Sequence, residues 1–287
     1  ACSFNIKFIG QGQNKQYQPL VDLMAPYDLV LVQELVSAPI DLTYADVVMH
    51  STPQARTFFN LMATAGFAYA LSSEKTGPTG NRTNGSQSEY FVAFYKPNVL
   101  SYDAARSGFI ASALAGNTTF DRVPCKFHFT TTDRTLDFTV TNVHLKPGSS
   151  ADDERRDEIA LIATTVGADP ERDQLIVGDM NIEDLNELDA ALPQGYRSLN
   201  ATCVATNVGT TGKPYDHVLY RPEHSAADID AGYFLPLDLV ALMAPTWDSS
   251  DGAYPGNPGF NVATYGSYYS DHKPVEFRMI YGVRDDD

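Results

Sequence analysis

"YDLVLVQEL" (residues 27–35) is an almost unbroken apolar run that ends at Glu34-Leu35. A strand with one wet face alternates polar and apolar side chains, whereas a strand covered on both faces does not. The stretch therefore predicts a central strand of a layered α/β protein. Other strand-like segments lie on both sides of it: "SFNIKFI" (3–9), "FAYALSS" (67–73), "EYFVAFYK" (89–96), a segment near 99–106, and "CKFHFTT" (125–131). "LDFTVTNVHL" (136–145), "DQLIVGDMNI" (173–182), "YDHVLY" (215–220) and "KPVEFRMIY" (273–281) complete the set.

Helical spacing supplies the covering layers. Tyr17, Leu20, Val21 and Met24 predict a helix around 15–25; Phe58, Leu61, Met62 and Ala65 predict another over 53–65. "SADDERRDEIALIATTVG" (150–167) reads as a third, with Ser150 as N-cap, acids in the first turn and a buried stripe of Ile159, Ile162, Ala163 and Val166. Residues 74–88 form a polar loop, and 221–270 is long, aromatic and rich in Pro and Gly. With no repeat or linker, the chain predicts one domain over residues 1–287, two packed sheets covered by helices.

A formal net charge of −16 over 287 residues argues against a broad basic surface for polyanions. It leaves room for a local site built around cations, because a bound metal can be the largest charge in a site. No run reaches the roughly 18 apolar residues that span a bilayer. Cys2, Cys125 and Cys203 show no metal-ligand spacing and permit at most one internal disulfide. Asn-X-Ser/Thr sequons start at Asn81, Asn84, Asn117 and Asn200, and chance in a Thr- and Asn-rich chain accounts for them most simply. No basic, apolar leader precedes Ala1, so an export signal would already be gone; the compartment expected is secreted or periplasmic.

The chemistry gathers at strand ends. Glu34 closes one strand, His144 another, Asp179 and Asn181 a third; Asp271-His272 precede the last, Asp216 opens "YDHVLY", and Asn5 lies in the first. Each alone has an ordinary explanation: a capped turn for Asp271-His272, a Gly/Asp/Asn turn for "GDMN", a surface acid for Glu34, a satisfied core imidazole for His144. Several such ends in one chain are harder to dismiss. Carboxylates, amides and imidazoles on one rim suit a hard cation with oxygen ligands, as Mg²⁺ prefers, with imidazoles serving as proton carriers.

In order, "SFNIKFIG", "LVLVQEL", "EYFVAFYKP", "DRVP", "VTNVHLKPG", "IVGDMNIE", "YDHVLY" and "SDHKPVEF" resemble the endonuclease/exonuclease/phosphatase superfamily, in its deoxyribonuclease I-like branch. The resemblance covers almost the full length. It implies a four-layered α/β sandwich and metal-dependent hydrolysis of a phosphate ester. By position it makes Glu34 the principal metal ligand, with Asn5 and Asp271 close to the ion. His144 would pair with Glu89 and His272 with Asp216, while Asp179 and Asn181 would position water and phosphate oxygens. Arg122 would contact the substrate phosphate, and Tyr215 would lie beside the site.

For substrate, the resemblance implies a Mg²⁺-dependent endonuclease that cuts DNA with little sequence preference to leave 5′-phosphate ends, with Mn²⁺ as substitute and Ca²⁺ as a structural or activating ion. The branch pattern has an arginine for the minor groove two residues after the metal-binding Glu; here that residue is Val36, so groove contact falls to Arg82 and Asn84 of the polar loop. A sphingomyelinase-like phosphodiesterase is the alternative, with the aromatic stretch 254–269 as a membrane tip. Stable membrane association is not expected.

Overall fold

The structure, a computed structural model, describes residues 1–11, 14–44, 47–77, 88–110, 119–247 and 261–282. Two six-stranded sheets pack face to face. In the first, the spatial order is β13 (Ile229–Pro236), β14 (Val275–Met279), β1 (Cys2–Ile9), β2 (Leu29–Leu35), β6 (Tyr90–Tyr95) and β5 (Ala68–Leu71). In the second it is β11 (Arg197–Ser198), β12 (Asp216–Tyr220), β10 (Gln174–Asp179), β9 (Asp137–His144), β8 (Cys125–Thr131) and β7 (Leu100–Phe109). A small hairpin, β3 (Leu42–Tyr44) with β4 (Val47–Met49), stands apart from both. The pairs β1–β2 and β9–β10 are parallel and their neighbours antiparallel, so both sheets are mixed.

Three apolar clusters define the layers. Between the sheets, Leu29, Leu31, Phe91 and Phe277 of the first meet Phe127, Phe129, Phe138, Val140, Val177 and Val218 of the second. The outer face of the first sheet is covered by α1 (Tyr17–Met24), α2 (Pro53–Thr64), α6 (Leu239–Met243) and α7 (Val262–Tyr268). That of the second is covered by α3 (Asp152–Val166) and α4 (Leu185–Ala191). The result is helix, sheet, sheet, helix. Strand β2 behaves as its sequence requires: Leu29 and Leu31 face the other sheet while Val30 and Val32 face the helices.

Some expectations are corrected. Helix α3 is capped by Ala151 with no side-chain bond from Ser150; the acids Asp152, Asp153 and Glu154 do occupy its first turn, and the Ile159, Ile162, Ala163, Val166 stripe is buried. The 221–270 stretch contains an edge strand, β13, as well as α5 (Pro222–Ser225), α6 and α7. Its half-exposed pattern, interrupted by Gly232, hid the alternation. All three cysteines are free, with Cys2 and Cys125 buried. Asn200 is buried, and its side-chain nitrogen, the atom a glycan would need, donates to Val204 O and Asp216 O. Asn81, Asn84, Asn117 and Arg82 lie outside the described residues.

Candidate active site

The period of two along a strand explains why these residues meet. Residues that continue the inner faces of the strands past the apolar core emerge at one end of the sandwich. On β10 the inner series is Leu175, Val177, Asp179; on β9 it is Phe138, Val140, Asn142, His144; on β12 it runs back from Tyr220 through Val218 to Asp216. Glu89 precedes Phe91 and Ala93 in the same phase, and Asn5 shares the inner phase of β1 with Ser3. The inner faces thus deliver five polar groups to one place. Gly178 lets two strands close beneath them: its φ is +143°, and a Cβ would lie 2.1 Å from Val143 O.

At the centre is one oxygen of Asp179. Its Oδ2 lies 3.5 Å from Nε2 of His144 and 3.4 Å from Nε2 of His272. Each imidazole is held from behind by its own carboxylate: His144 Nδ1 contacts Glu89 at 3.0 and 3.1 Å, and His272 Nδ1 contacts Asp216 Oδ2 at 2.9 Å. Such carboxylates fix ring orientation and tautomer. Both predicted pairs are therefore in contact. Asn181, at φ +52°, donates its backbone N–H to Asp179 Oδ1 and its amide to Leu145 O. The Tyr215 ring centre is 5.7 Å from that of His272.

Glu34 reaches the rim by another route. In phase with Val30 and Val32 it belongs to the helix-facing side of β2, but its φ of +62° breaks the alternation. Residues Lys7 and Phe8 are left-handed too, at φ +46° and +55°, where the β1–β2 register shifts between Asn5 and Ile9. Non-glycine residues in this region are strained and cluster at functional sites. The bulge closes on the carboxylate: Glu34 Oε1 accepts from Asn5 Nδ2 at 3.0 Å and Oε2 from Phe8 N at 3.2 Å.

Charge around the site is largely supplied by buried groups. Arg122, 5 % exposed, has Nε 3.5 Å from Glu89 Oε2, and its Nε and Nη1 lack hydrogen-bond partners. Asp121 Oδ2 stands 3.7 Å from Nη1, so two carboxylates balance the buried guanidinium at ion-pair distance while its Nε and Nη1 keep the capacity for a closer acceptor. Burial, reinforced by Arg122, pushes His144 down to about 4, and burial pushes Glu89 up to about 7 against the pull of Arg122. Burial also opposes charge on His272, yet Asp216, Asp179 and Asp271 together carry it well above the ordinary histidine value. The two imidazoles thus sit in opposite electrostatic surroundings.

Several supporting residues were not singled out from the sequence. Lys15, buried, donates to three backbone carbonyls: Ile6 at 3.0 Å, Gly266 at 3.0 Å and Tyr269 at 2.6 Å. Burial pushes its ammonium down to about 7. Arg155, fully buried on α3, donates to Lys146 O and Gly148 O and so fastens the "LKPG" turn that follows His144. Glu158 accepts from the backbone N–H groups of Asp121 and Lys146, linking that turn to the Arg122 segment. Behind the rim, Gln33 Nε2 donates to Asn142 Oδ1 at 2.6 Å across the two sheets. The signal for Arg155 and Glu158 was available in principle: both lie in phase with Ile159 and Ile162 on the helix.

Of the candidates, Glu34, Glu89, Arg122, His144, Asp179, Asn181 and His272 line one cavity of about 210 Å³, together with Phe8, Val36, Ser88 and Pro147. Asn5 and Asp216 stand directly behind it through their bonds to Asp179 and His272. Asp271 is tied to Lys7 at 2.5 Å and does not line the cavity. Arg82 and Asn84 lie outside the described residues. Of 254–269, residues 254–260 lie outside the described residues; the described Tyr265, Tyr268 and Tyr269 pack on Trp247. A slightly larger cavity, about 260 Å³, is lined by Glu171, Arg172, Arg221 and His224; Arg221 pairs with Glu223 and Glu171 with Arg106. Nearby, His128, Asp137 and Glu171 cluster, but Arg106 donates to all three and occupies the space between them.

A hard cation suits the site. The carboxylates of Glu34 and Asp179 converge on a single nitrogen, Asn5 Nδ2, at 3.0 and 2.9 Å, so acidic oxygens from the two sheets face one point. The donors there are carboxylate oxygens, which Mg²⁺ and Mn²⁺ take. As it stands, Asn5 turns its nitrogen and not its oxygen to the carboxylates, because Oδ1 accepts Lys7 N at 3.0 Å.

Residues 2–272 match the model of the endonuclease/exonuclease/phosphatase family. The chain belongs to that family. Its members are hydrolases of phosphate esters and are typically dependent on divalent metals. No curated protein sequence is a match. Among solved structures, a family protein from Leptotrichia buccalis C-1013-b is 13 % identical, with TM-score 0.63 and 98 % of each chain covered. D. rerio TDP2 complexed with single-strand DNA product is 14 % identical, with TM-score 0.58 and 97 % of each chain covered. A mannosyl-6-phosphatase from Bacteroides thetaiotaomicron VPI-5482 is 14 % identical, with TM-score 0.56 and 98 % of each chain covered. At these identities the likeness is one of fold: the α/β sandwich of two mixed sheets and flanking helices.

Proposed function

We propose that this protein is a Mg²⁺-dependent endonuclease that hydrolyses DNA with little sequence preference and leaves 5′-phosphate ends. The observation that carries the reading is the geometry at Asp179: two imidazoles converge on one oxygen, each backed by a separate carboxylate. That arrangement can move two protons on opposite sides of a single phosphorus. Glu34 would hold the metal with Asn5 and Asp271 near it, and the bound cation would stabilise negative charge on the phosphoryl oxygens.

This chain's own residues account for the rest. Arg122 offers two nitrogens without a hydrogen-bond acceptor to a phosphate oxygen. Asp179 and Asn181 orient the attacking water and the phosphate. Water oxygen bonds to phosphorus as the P–O3′ bond breaks; one imidazole takes the water proton and the other gives its proton to O3′. Glu89 and Asp216 hold the two rings, and Tyr215 packs beside His272. Each such proton transfer contributes roughly a hundredfold or more.

DNA is favoured over a lipid headgroup for two reasons. A neighbour of the same fold holds a DNA product, and the described tyrosines of 254–269 are packed instead of displayed. The deciding comparison is plasmid nicking against phosphocholine release from sphingomyelin and phosphate release from a sugar monoester, each with Mg²⁺. Nicking that stops in chelator, returns with Mg²⁺ or Mn²⁺ and yields labelled 5′-phosphate ends is the expected result. Turnover of sphingomyelin or the monoester with intact plasmid would overturn the reading.

A further inference from the structure

Phe8 is the only exposed phenylalanine among the described residues, at 46 % relative exposure. Of their exposed large apolar side chains, it alone lines the cavity that holds Glu34, Arg122, His144, Asp179 and His272. Its backbone is left-handed at φ +55°, following Lys7 at +46°, in the bulge that shifts β1 against β2. A phenylalanine there is doubly unfavourable for folding, since its ring stays in water and its φ is strained. Its N–H donates to Glu34 Oε2, so the base of the ring is fixed relative to the principal carboxylate of the site. Bulges next to active sites characteristically re-aim a side chain.

We propose that Phe8 is a stacking platform for the nucleobase beside the scissile phosphate, with Val36 and Pro147 completing an apolar wall around it. The proposal rests on the DNA reading above and adds to it a preference for unpaired strands, since a base in a duplex has its faces occupied. Charge supports the assignment. A chain of net charge −16 gains little attraction for a polyanion, whereas stacking on an aromatic ring needs no positive charge and tolerates any base. A nucleobase hangs from the sugar next to its phosphate, so a ring anchored at Glu34 lies on the path the base must take when the phosphate meets Arg122 and the two imidazoles. One ring is the size of a base; a lipid surface requires a contiguous apolar patch.

The test uses two single-stranded oligodeoxynucleotides of one sequence, the second lacking the bases on both sides of a central phosphate. Cleavage at that phosphate is compared in the full chain and in Phe8→Ala and Phe8→Trp, with Mg²⁺. The full chain should prefer the base-bearing strand by about tenfold or more in kcat/KM. That ratio should shrink towards one in Phe8→Ala and persist in Phe8→Trp, whose fluorescence the base-bearing strand should quench more strongly. An unchanged ratio in Phe8→Ala overturns the platform while leaving the nuclease reading intact. Absence of DNA cleavage by the full chain, with sphingomyelin or monoester turned over, overturns both. If Phe8→Ala does not fold, the quenching comparison with Phe8→Trp decides: equal quenching by both strands overturns the platform.

Discussion

Asn5 of the first sheet donates an amide hydrogen to Asp179 of the second at 2.9 Å. The other hydrogen of the same nitrogen goes to Glu34 at 3.0 Å, so one side chain bridges two carboxylates from different sheets. Asn5→Ala removes that bridge and leaves two acids facing each other. Activity is expected to fall about ten- to a hundredfold, the usual effect of losing a group that orients metal ligands. Stability should fall by about 1–3 kcal/mol for a lost buried polar contact. Nicking rates across a Mg²⁺ titration, with thermal melts alongside, provide the check; full activity at low Mg²⁺ would refute the role.

The His–carboxylate pairs predict a ranked series. His144→Ala and His272→Ala should each lower hydrolysis by roughly a hundredfold or more. Glu89→Gln and Asp216→Asn should give smaller losses, because they act through the ring they hold. Circular dichroism should stay native in the histidine variants, which sit at the mouth of the sandwich. Near-normal turnover in both would place the chemistry elsewhere.

With Arg122 as the cation lining the cavity and a net charge of −16, a shallow salt dependence is expected. Few neutralised phosphates mean few released counterions, so log K against log salt should have a slope of magnitude about two to four, at about 0.9 per phosphate. Binding of DNA to the His144→Ala variant at fixed divalent concentration gives the baseline. Adding Arg122→Ala should reduce the slope by about one without changing base preference. A baseline slope near eight would reveal an extended basic surface that the charge of the chain does not suggest.

His217 provides a stability prediction away from the chemistry. It is fully buried on the outer face of β12, one residue from Asp216 but on the opposite side, with Nδ1 on Ser198 Oγ. Burial pushes it down from 6.5 to about 4. Between those values the unfolded chain binds the proton and the folded protein does not. Its contribution is therefore complete above about pH 6.5 and is lost as pH falls towards 4, by roughly 3 kcal/mol. His217→Gln should flatten this part of the stability–pH curve in denaturant titrations. An equally steep decline in the variant would assign the acid sensitivity to other groups.

The apolar run of β2, the strand-end polar residues and the helix stripes are local patterns, and they were legible because period decides which face a side chain takes. His144, Asp179 and Asp216 follow that arithmetic without exception. Glu34 does not. Its identity at a strand end was readable, but the turn to positive φ that swings it onto the rim depends on a bulge between two strands. Lys15, Arg155 and Glu158 are hard to read from sequence, because charged residues on or near helices ordinarily face water; here each is buried on backbone groups that only the tertiary fold brings near. The pairing of each histidine with its carboxylate came from the family resemblance, since residues 89 and 144 share no local pattern.

Ser270 Oγ donates to Asn5 O at 2.6 Å across 265 residues of chain, and β1 lies between β2 and the last strand, β14. Asn5 and Glu34 are therefore translated well before His272. Until the final strand emerges and docks, β1 has an open edge and the second imidazole is missing. Nascent chains should be catalytically silent, and any premature stop before residue 271 should yield an inert product. The order of synthesis would itself keep the hydrolase silent until its fold is closed.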